Sequence, residues 1–149
     1  VVEVREGDRV ARAEPAREFG LDVRIDFDHP LIGEQRLVRK SVTVEDFQAA
    51  IAPARTFGFL AEVESLRAAG LARGASLENT LVPDDAALMN ESGLRFADEF
   101  VRHKALDLLG DLALLGAPLE AFVTVERGGH RLHHRLVETI LQQAQSGAN

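Results

Sequence analysis

Three features of the sequence predict an α+β fold, a two-layer domain with helices on one face of a mixed sheet. Strand-like segments fill the first forty residues, two long helical patterns come late, and a short strand stands between those two. The 149 residues fit one domain, of a size that buries roughly 70% of the surface its unfolded chain exposes. With 46% hydrophobic and 28% charged residues, the composition is that of an ordinary globular protein.

"VVEVREGDRVARAEP" reads as a hairpin turning at Glu6-Gly7-Asp8. "FGLDVRIDFDHP" has a clean period of two, with Leu21, Val23, Ile25 and Phe27 on one face and Asp22, Arg24, Asp26 and Asp28 on the other. Pro30 ends it. "RLVRKSVTV" is a further strand, after which Thr43 and Asp46 form a helix-capping pattern. A helix is expected over about 45–54, then the loop "ARTFGF", then a short helix "LAEVESLRAAG" stopped by Gly70. "ASLENTLV" fits a short strand and "PDDAALMNESG" a polar connection. The long helix runs from about Phe96 to Leu115 and stops at Gly116 and Pro118. "AFVTVE" is a strand, "RGGH" a tight turn, "RLHHRLVETILQQ" a last helix and "QAQSGAN" a fraying tail.

Several classes are excluded. Without cysteine there is no disulfide scaffold, thiolate zinc site or thiol nucleophile. A net charge of −7 disfavours wrapping nucleic acid, while a local group of Lys and Arg could still hold a small anion. No stretch is long and apolar enough to span a bilayer. The opening "VVEV", without Met, reads as part of a longer protein.

Function is concentrated in "EFVRHKALDLLGDL". At about 100° per residue, Phe96, Phe100, His103, Lys104, Asp107, Asp111 and Leu114 share an arc of about 100°. The rest of the helix is largely apolar, so the polar residues form one narrow stripe. His103 and Asp107, at i and i+4, suit two ligands of one zinc ion. They equally suit a helix-surface pair worth a few tenths of a kcal/mol; the apolar surround weighs against that, because unpaired buried charge is costly.

His130, after Gly128 and Gly129, opens the last helix, where a neighbouring carboxylate such as Asp111 would balance the helix terminus and suit the imidazole to acid–base work. A plain glycine turn with a surface histidine is the alternative. Thr56 is either a hydrogen-bond donor at a site or a local cap. His29 reads as a hydrogen-bonding residue at a strand end, and His133 and His134 as solvated or partly packed residues without a role.

Together "IDFDHP", "ARTFGF", "GLRFADEFVRHKALDLLGDL" and "GGH", in that order, resemble the zinc-dependent UDP-3-O-acyl-N-acetylglucosamine deacetylases of lipid A synthesis in Gram-negative bacteria. The resemblance extends from Val1 to about Leu141. It implies a cytoplasmic hydrolase in which His103 and Asp107 are two of three protein ligands of Zn2+. Asp111 would orient His130 as general acid, and Thr56 would bind the oxyanion. Phe27 and Asp26 resemble the uracil-stacking strand end, and Lys104, Arg127 and Arg9 the basic positions facing diphosphate and sugar. Phe57 and Phe59 fall among the substrate-binding positions.

The resemblance also implies that residues of about 59–83 are a βαβ insert taking the acyl chain, lined by Val63, Ala72, Ser76, Thr80 and Val82. Ala75 stands where the family usually has Gly, and His133 and His134 replace an asparagine-rich turn. The third ligand and a glutamate base belong to an N-terminal half. Residues 1–149 are thus expected to be the second domain, its sheet covered by the helices near 45–54 and 96–115. Docked on the other half, it would form a β-α-α-β sandwich, which accounts for a helix apolar nearly all round. The alternatives are a catalytically incomplete module binding nucleotide sugar and acyl chain, and a structural domain whose stripe is only an ion-pair network.

Overall fold

A computed structural model describes residues 1–85 and 87–147. Strands β1 (Val2–Glu6), β2 (Arg9–Pro15), β3 (Gly20–Phe27) and β4 (Gly33–Arg39) form two antiparallel hairpins. A last strand, Ala121–Glu126, lies between them, antiparallel to β2 and parallel to β3. The sheet is therefore mixed and five-stranded, and the fold is α+β as expected.

The period of two in β3 does what it implied: Leu21, Val23 and Ile25 are buried, and Phe27 is half-buried at the strand end. On the opposite face, charged residues pair across strands, Arg36 with Asp22 at 2.6 Å and Arg24 with Glu34 at 2.8 Å. That face needs no second layer. The inner face carries the core, and burying each Leu, Ile or Val there contributes about 1.5–3 kcal/mol.

Helix α1 spans Val44–Asp46 and continues as a π-helical stretch over Phe47–Ile51. Thr43 caps it, its hydroxyl accepting from the Asp46 N–H at 3.1 Å. Strand β5 (Thr56–Phe57), helix α2 (Leu60–Ala68) and strand β6 (Thr80–Leu81) follow, with β5 and β6 paired in parallel around α2. The long helix α3 (Glu99–Leu112) ends in a 3-10 turn, Ala113–Leu115, and at Gly116, whose φ of +68° suits glycine. Strand Ala121–Glu126 is β7, and α4 spans His130–Ser146. Among the described residues no helix is long and apolar enough to cross a membrane.

The helical layer differs from the expectation. Helix α3 lies over β3 and β4, and α4 lies over β1 and β2, the two packing side by side. The 44–51 segment rests on α3 instead of the sheet. The reason lies in the hydrophobic faces. Phe100, Val101, Ala105, Leu108 and Leu112 of α3, and Leu132, Leu136 and Val137 of α4, are all buried in one core, whereas 44–51 buries only Ile51.

Boundaries also moved. Strand β4 begins at Gly33 and ends at Arg39, because residues 29–33 turn back through N–H bonds from Ile32 and Gly33 to the His29 carbonyl. Only Thr80–Leu81 of "ASLENTLV" is strand. Helix α3 starts three residues after Phe96, because the Glu99 carboxylate draws in the Arg95 N–H at 2.6 Å and fixes a turn there. Residues 143–146 of the expected tail are helical. Its last two residues, and Ala86 in the polar connection, lie outside the described residues.

Candidate active site

Helix α3 presents His103, Lys104, Asp107 and Asp111 along one side, toward the loop before β5 and the first turn of α4. The His103 Nδ1 lies 3.1 Å from the Ala54 carbonyl, an acceptor, so that nitrogen carries the proton. Its Nε2 faces Asp107 Oδ1 at 3.2 Å, and Lys104 Nζ donates to Asp107 Oδ2 at 3.0 Å. Both His103 and Asp107 are 14% exposed, accessible at the tip but not solvated all round. Burial pushes the Asp107 carboxyl up, but the hydrogen bond from His103 and the charge of Lys104 outweigh it and bring the pKa down to about 2. Asp107 is therefore an anion at any physiological pH.

The fit to a divalent metal follows from this donor set. One imidazole has its Nδ1 engaged behind it and its Nε2 turned to the front, beside a permanent carboxylate anion one helical turn on. That is the oxygen and nitrogen chemistry zinc takes.

Asp111 lies one turn further and is almost buried. Its Oδ2 is 2.8 Å from the Nδ1 of both His130 and His133, and its Oδ1 is 3.0 Å from His134 Nε2. Burial raises its pKa, but the bonds to His133 and His130 hold it below the usual carboxylate range. Asp111, His130 and His133 each bring a ligand atom to within 4.8 Å of the others, a second grouping with metal-ligand chemistry. In the geometry seen, both carboxylate oxygens are already satisfied by imidazole nitrogens. His130 is the exposed member, its Nε2 reaching to 3.9 Å from Asp107 Oδ1. It stands between the two carboxylates.

His133 and His134 correct the sequence reading. His133 is 1% exposed and hydrogen-bonded, and His134, about half exposed, bonds the same carboxylate. The signal was present: once α4 begins at His130, positions 130, 133 and 134 are i, i+3 and i+4 on one face. Gly128 has to lack a side chain here, because a Cβ would strike the Val125 side chain and come within 2.7 Å of His133 Nε2. His29 is the hydrogen-bonding residue expected, its ring reaching the Leu31 N–H and the Asp84 carbonyl.

Burial lowers the His133 pKa more than Asp111 raises it. The folded imidazole thus takes up a proton below the value of about 6.5 at which the unfolded one does. Its contribution to stability is complete above that pH and falls as pH drops toward the folded value, by at most about 1.4 kcal/mol per pH unit. Urea unfolding measured from pH 8 to 5 should show this slope, and His133→Gln should flatten it. An unchanged slope would mean His133 is not the titrating group.

Around this centre, Thr56 and His103 line one open depression with Ala54 and Arg55. Phe57 packs edge-on against Phe27 at 5.6 Å and Phe100 at 5.1 Å, with Lys104 Nζ 5.4 Å from its ring. A second depression gathers Arg9, Asp26, Phe27, Lys104 and Arg127 with Asp8 and Gly128. Arg127, held at φ +50°, pairs with Asp8 and, at 3.1 Å, with Asp26. The three basic residues named from sequence thus come together, two of them already partnered, Arg127 with Asp8 and Asp26 and Lys104 with Asp107.

An apolar pocket beside α2 is lined by Val63, Ser76, Thr80 and Val82, with Leu60 and Met89. Ala72 lies outside that lining, in a turn with φ +52°. Phe59 faces a different depression, with Asp28 and His29.

Residues 1–142 match the family model described as UDP-3-O-acyl N-acetylglycosamine deacetylase. A protein named UDP-3-O-acyl-N-acetylglucosamine deacetylase from Anaeromyxobacter sp. is 47% identical over 140 residues, covering 94% of this chain and 46% of that protein. One of the same name from Nitratiruptor sp. is 47% identical over 142 residues, covering 95% and 47%. Another, from Oleidesulfovibrio alaskensis, is 51% identical over 129 residues, covering 87% and 42%. The chain spans about half the length of the curated relatives it matches.

Proposed function

The chain belongs to the UDP-3-O-acyl N-acetylglycosamine deacetylase family, and on that premise we propose that it is the second half of a zinc-dependent deacetylase. The substrate is UDP-3-O-acyl-N-acetylglucosamine, the reaction is hydrolysis of its acetamide in cytoplasmic lipid A synthesis, and an N-terminal half completes the site. The observation that carries this reading is the pairing of His103 and Asp107. The imidazole is held from behind by a backbone carbonyl, and the carboxylate is kept ionised beside its Nε2.

In this reading His103 and Asp107 hold the zinc ion, with a third ligand from the N-terminal half. When bound, the metal polarises the acetamide carbonyl and makes water a stronger nucleophile. The residues of this chain handle charge and protons around it. The Thr56 hydroxyl borders the same depression as His103, where it can donate to oxygen as negative charge grows on it. His130, hydrogen-bonded through Nδ1 to Asp111, offers Nε2 toward the reacting atoms.

Water adds to the carbonyl carbon and loses a proton to a base in the other half. The C–N bond then breaks, and the departing amine takes its proton from His130 Nε2. Acetate and the free amino sugar are the products. Lys104, Arg9 and Arg127 supply positive charge for the diphosphate, with Phe27 for the uracil. Val63, Ser76, Thr80 and Val82 form an apolar lining for the acyl chain, residues of about 59–83 being the insert that provides it.

The test is metal removal from the intact two-domain protein. Chelation should abolish acetate release from the nucleotide sugar, and one equivalent of Zn2+ should restore it. Full activity in thoroughly metal-free protein would overturn the reading. Nucleotide-sugar binding without turnover in zinc-loaded protein would favour the binding module.

A further inference from the structure

We propose that Glu99 is a positioning residue for His103, acting through the peptide group that joins Ala54 to Arg55. This rests on the reading of His103 as a metal ligand. Glu99 and His103 are i and i+4 on α3, and the two ends of that one peptide group touch both of them. Its N–H, that of Arg55, donates to Glu99 Oε1 at 3.0 Å. Its C=O, that of Ala54, lies 3.1 Å from His103 Nδ1. A peptide group is rigid and planar, so fixing the N–H fixes the direction of the carbonyl.

The anchor is strong. Glu99 has no exposed surface, and Arg55 is 6% exposed. Glu99 Oε1 also accepts from Arg55 Nε at 2.9 Å, and its Oε2 accepts from Arg55 Nη2 at 3.1 Å and from the Arg95 N–H at 2.6 Å. Arg55 Nη2 donates in turn to the Gly93 carbonyl at 2.7 Å. Two more arginines tie down the preceding segment, Arg95 bonding the Pro53 carbonyl at 2.7 Å and Arg102 the Ala50 carbonyl, in the π-helical stretch, at 2.8 Å.

The arrangement does two things to His103. Steric fixation of the carbonyl keeps a proton on Nδ1 and aims Nε2 at Asp107. Electronically, a buried anion on the N–H side polarises the peptide, so the carbonyl becomes a stronger acceptor and Nε2 a better donor to metal. Carboxylates that bond a ligand histidine directly have this effect; here a backbone peptide stands between them. The Glu99–Arg55 pair also holds the loop that ends at Thr56, so one buried carboxylate sets the distance between the histidine and the hydroxyl.

The test is Glu99→Gln in the intact protein, with zinc affinity measured by chelator competition, the 15N signals of the metal-free His103 imidazole, and thermal unfolding as a control. The expected result is zinc affinity weakened about 10- to 100-fold. The His103 Nδ1 signal should also shift away from that of a nitrogen whose proton is held by a carbonyl, in a protein that still unfolds cooperatively. Affinity within twofold of native in folded Glu99→Gln, with the imidazole signals unmoved, would overturn the proposal.

If Glu99→Gln does not fold, the double replacement Glu99→Met with Arg55→Leu leaves no orphaned charge and must show the same loss. His103→Ala is measured in parallel. If it lowers affinity and the Glu99 variants do not, the relay is wrong; if His103→Ala itself leaves affinity intact, the metal assignment is wrong as well.

Discussion

Replacing Asp107 by Ala in the intact protein should lower kcat/KM about 1,000-fold or more, roughly 4 kcal/mol of lost transition-state stabilisation. The substitution removes one of the two metal donors proposed for this chain and the acceptor that Lys104 and His103 share. The remaining histidine, with whatever the other half supplies, leaves the metal short of the ligands that structural and catalytic zinc sites use. Metal content measured on the purified variant should fall together with activity, while the fold is kept, because Asp107 lies at the rim of the core and not in it. Activity within tenfold of native, with zinc retained, would remove Asp107 from the metal site. It would also turn attention to the Asp111, His130 and His133 grouping.

Asp111→Asn should lower kcat about 100- to 1,000-fold with KM changed by no more than about threefold. The amide keeps the shape but offers one neutral acceptor where three imidazole nitrogens now meet two charged oxygens. Its NH2 group faces nitrogens that already donate. His130 then loses the carboxylate that orients it, while the groups proposed to bind the nucleotide are untouched. Because charge-assisted bonds to the buried His133 go at the same time, stability should drop by about 1.5–3 kcal/mol. Steady-state kinetics and thermal unfolding read the two effects separately. A kcat within fivefold of native would show that His130 works without that carboxylate.

The features legible in the sequence are those with a strong local cause. Alternation in β3, the cap at Thr43, Gly116 after the long helix and the stripe of α3 each depend on residues a turn or a strand apart. The structure places them where the pattern did. The helical layer was misread because amphipathicity says which face a helix buries, not against what. Segment 44–51 has one buried residue, Ile51, and yields its place over the sheet to α4, whose Leu132, Leu136 and Val137 fill it better.

At the site, the α3 side was visible because its polar residues interrupt an apolar helix. The α4 side was not, because three histidines in a polar turn look solvated until a carboxylate from another helix is placed beneath them. The Glu99–Arg55 pair joins residues 44 apart. No spacing rule reaches that far.

Strand β7 has a consequence for how the molecule is made. It is the last strand in the chain and yet sits third in the sheet, with β2 on one side and β3 on the other. Until it arrives, the two hairpins share no ladder and neither has a complete layer to bury. The residues directly after it are Gly128, Gly129 and His130. During synthesis this sheet therefore stays open until residues 121–126 are available, and its closure has to wait for these long-range pairings. Sheet closure and delivery of the histidine onto Asp111 become one event, so a chain halted before residue 121 would hold two unjoined hairpins.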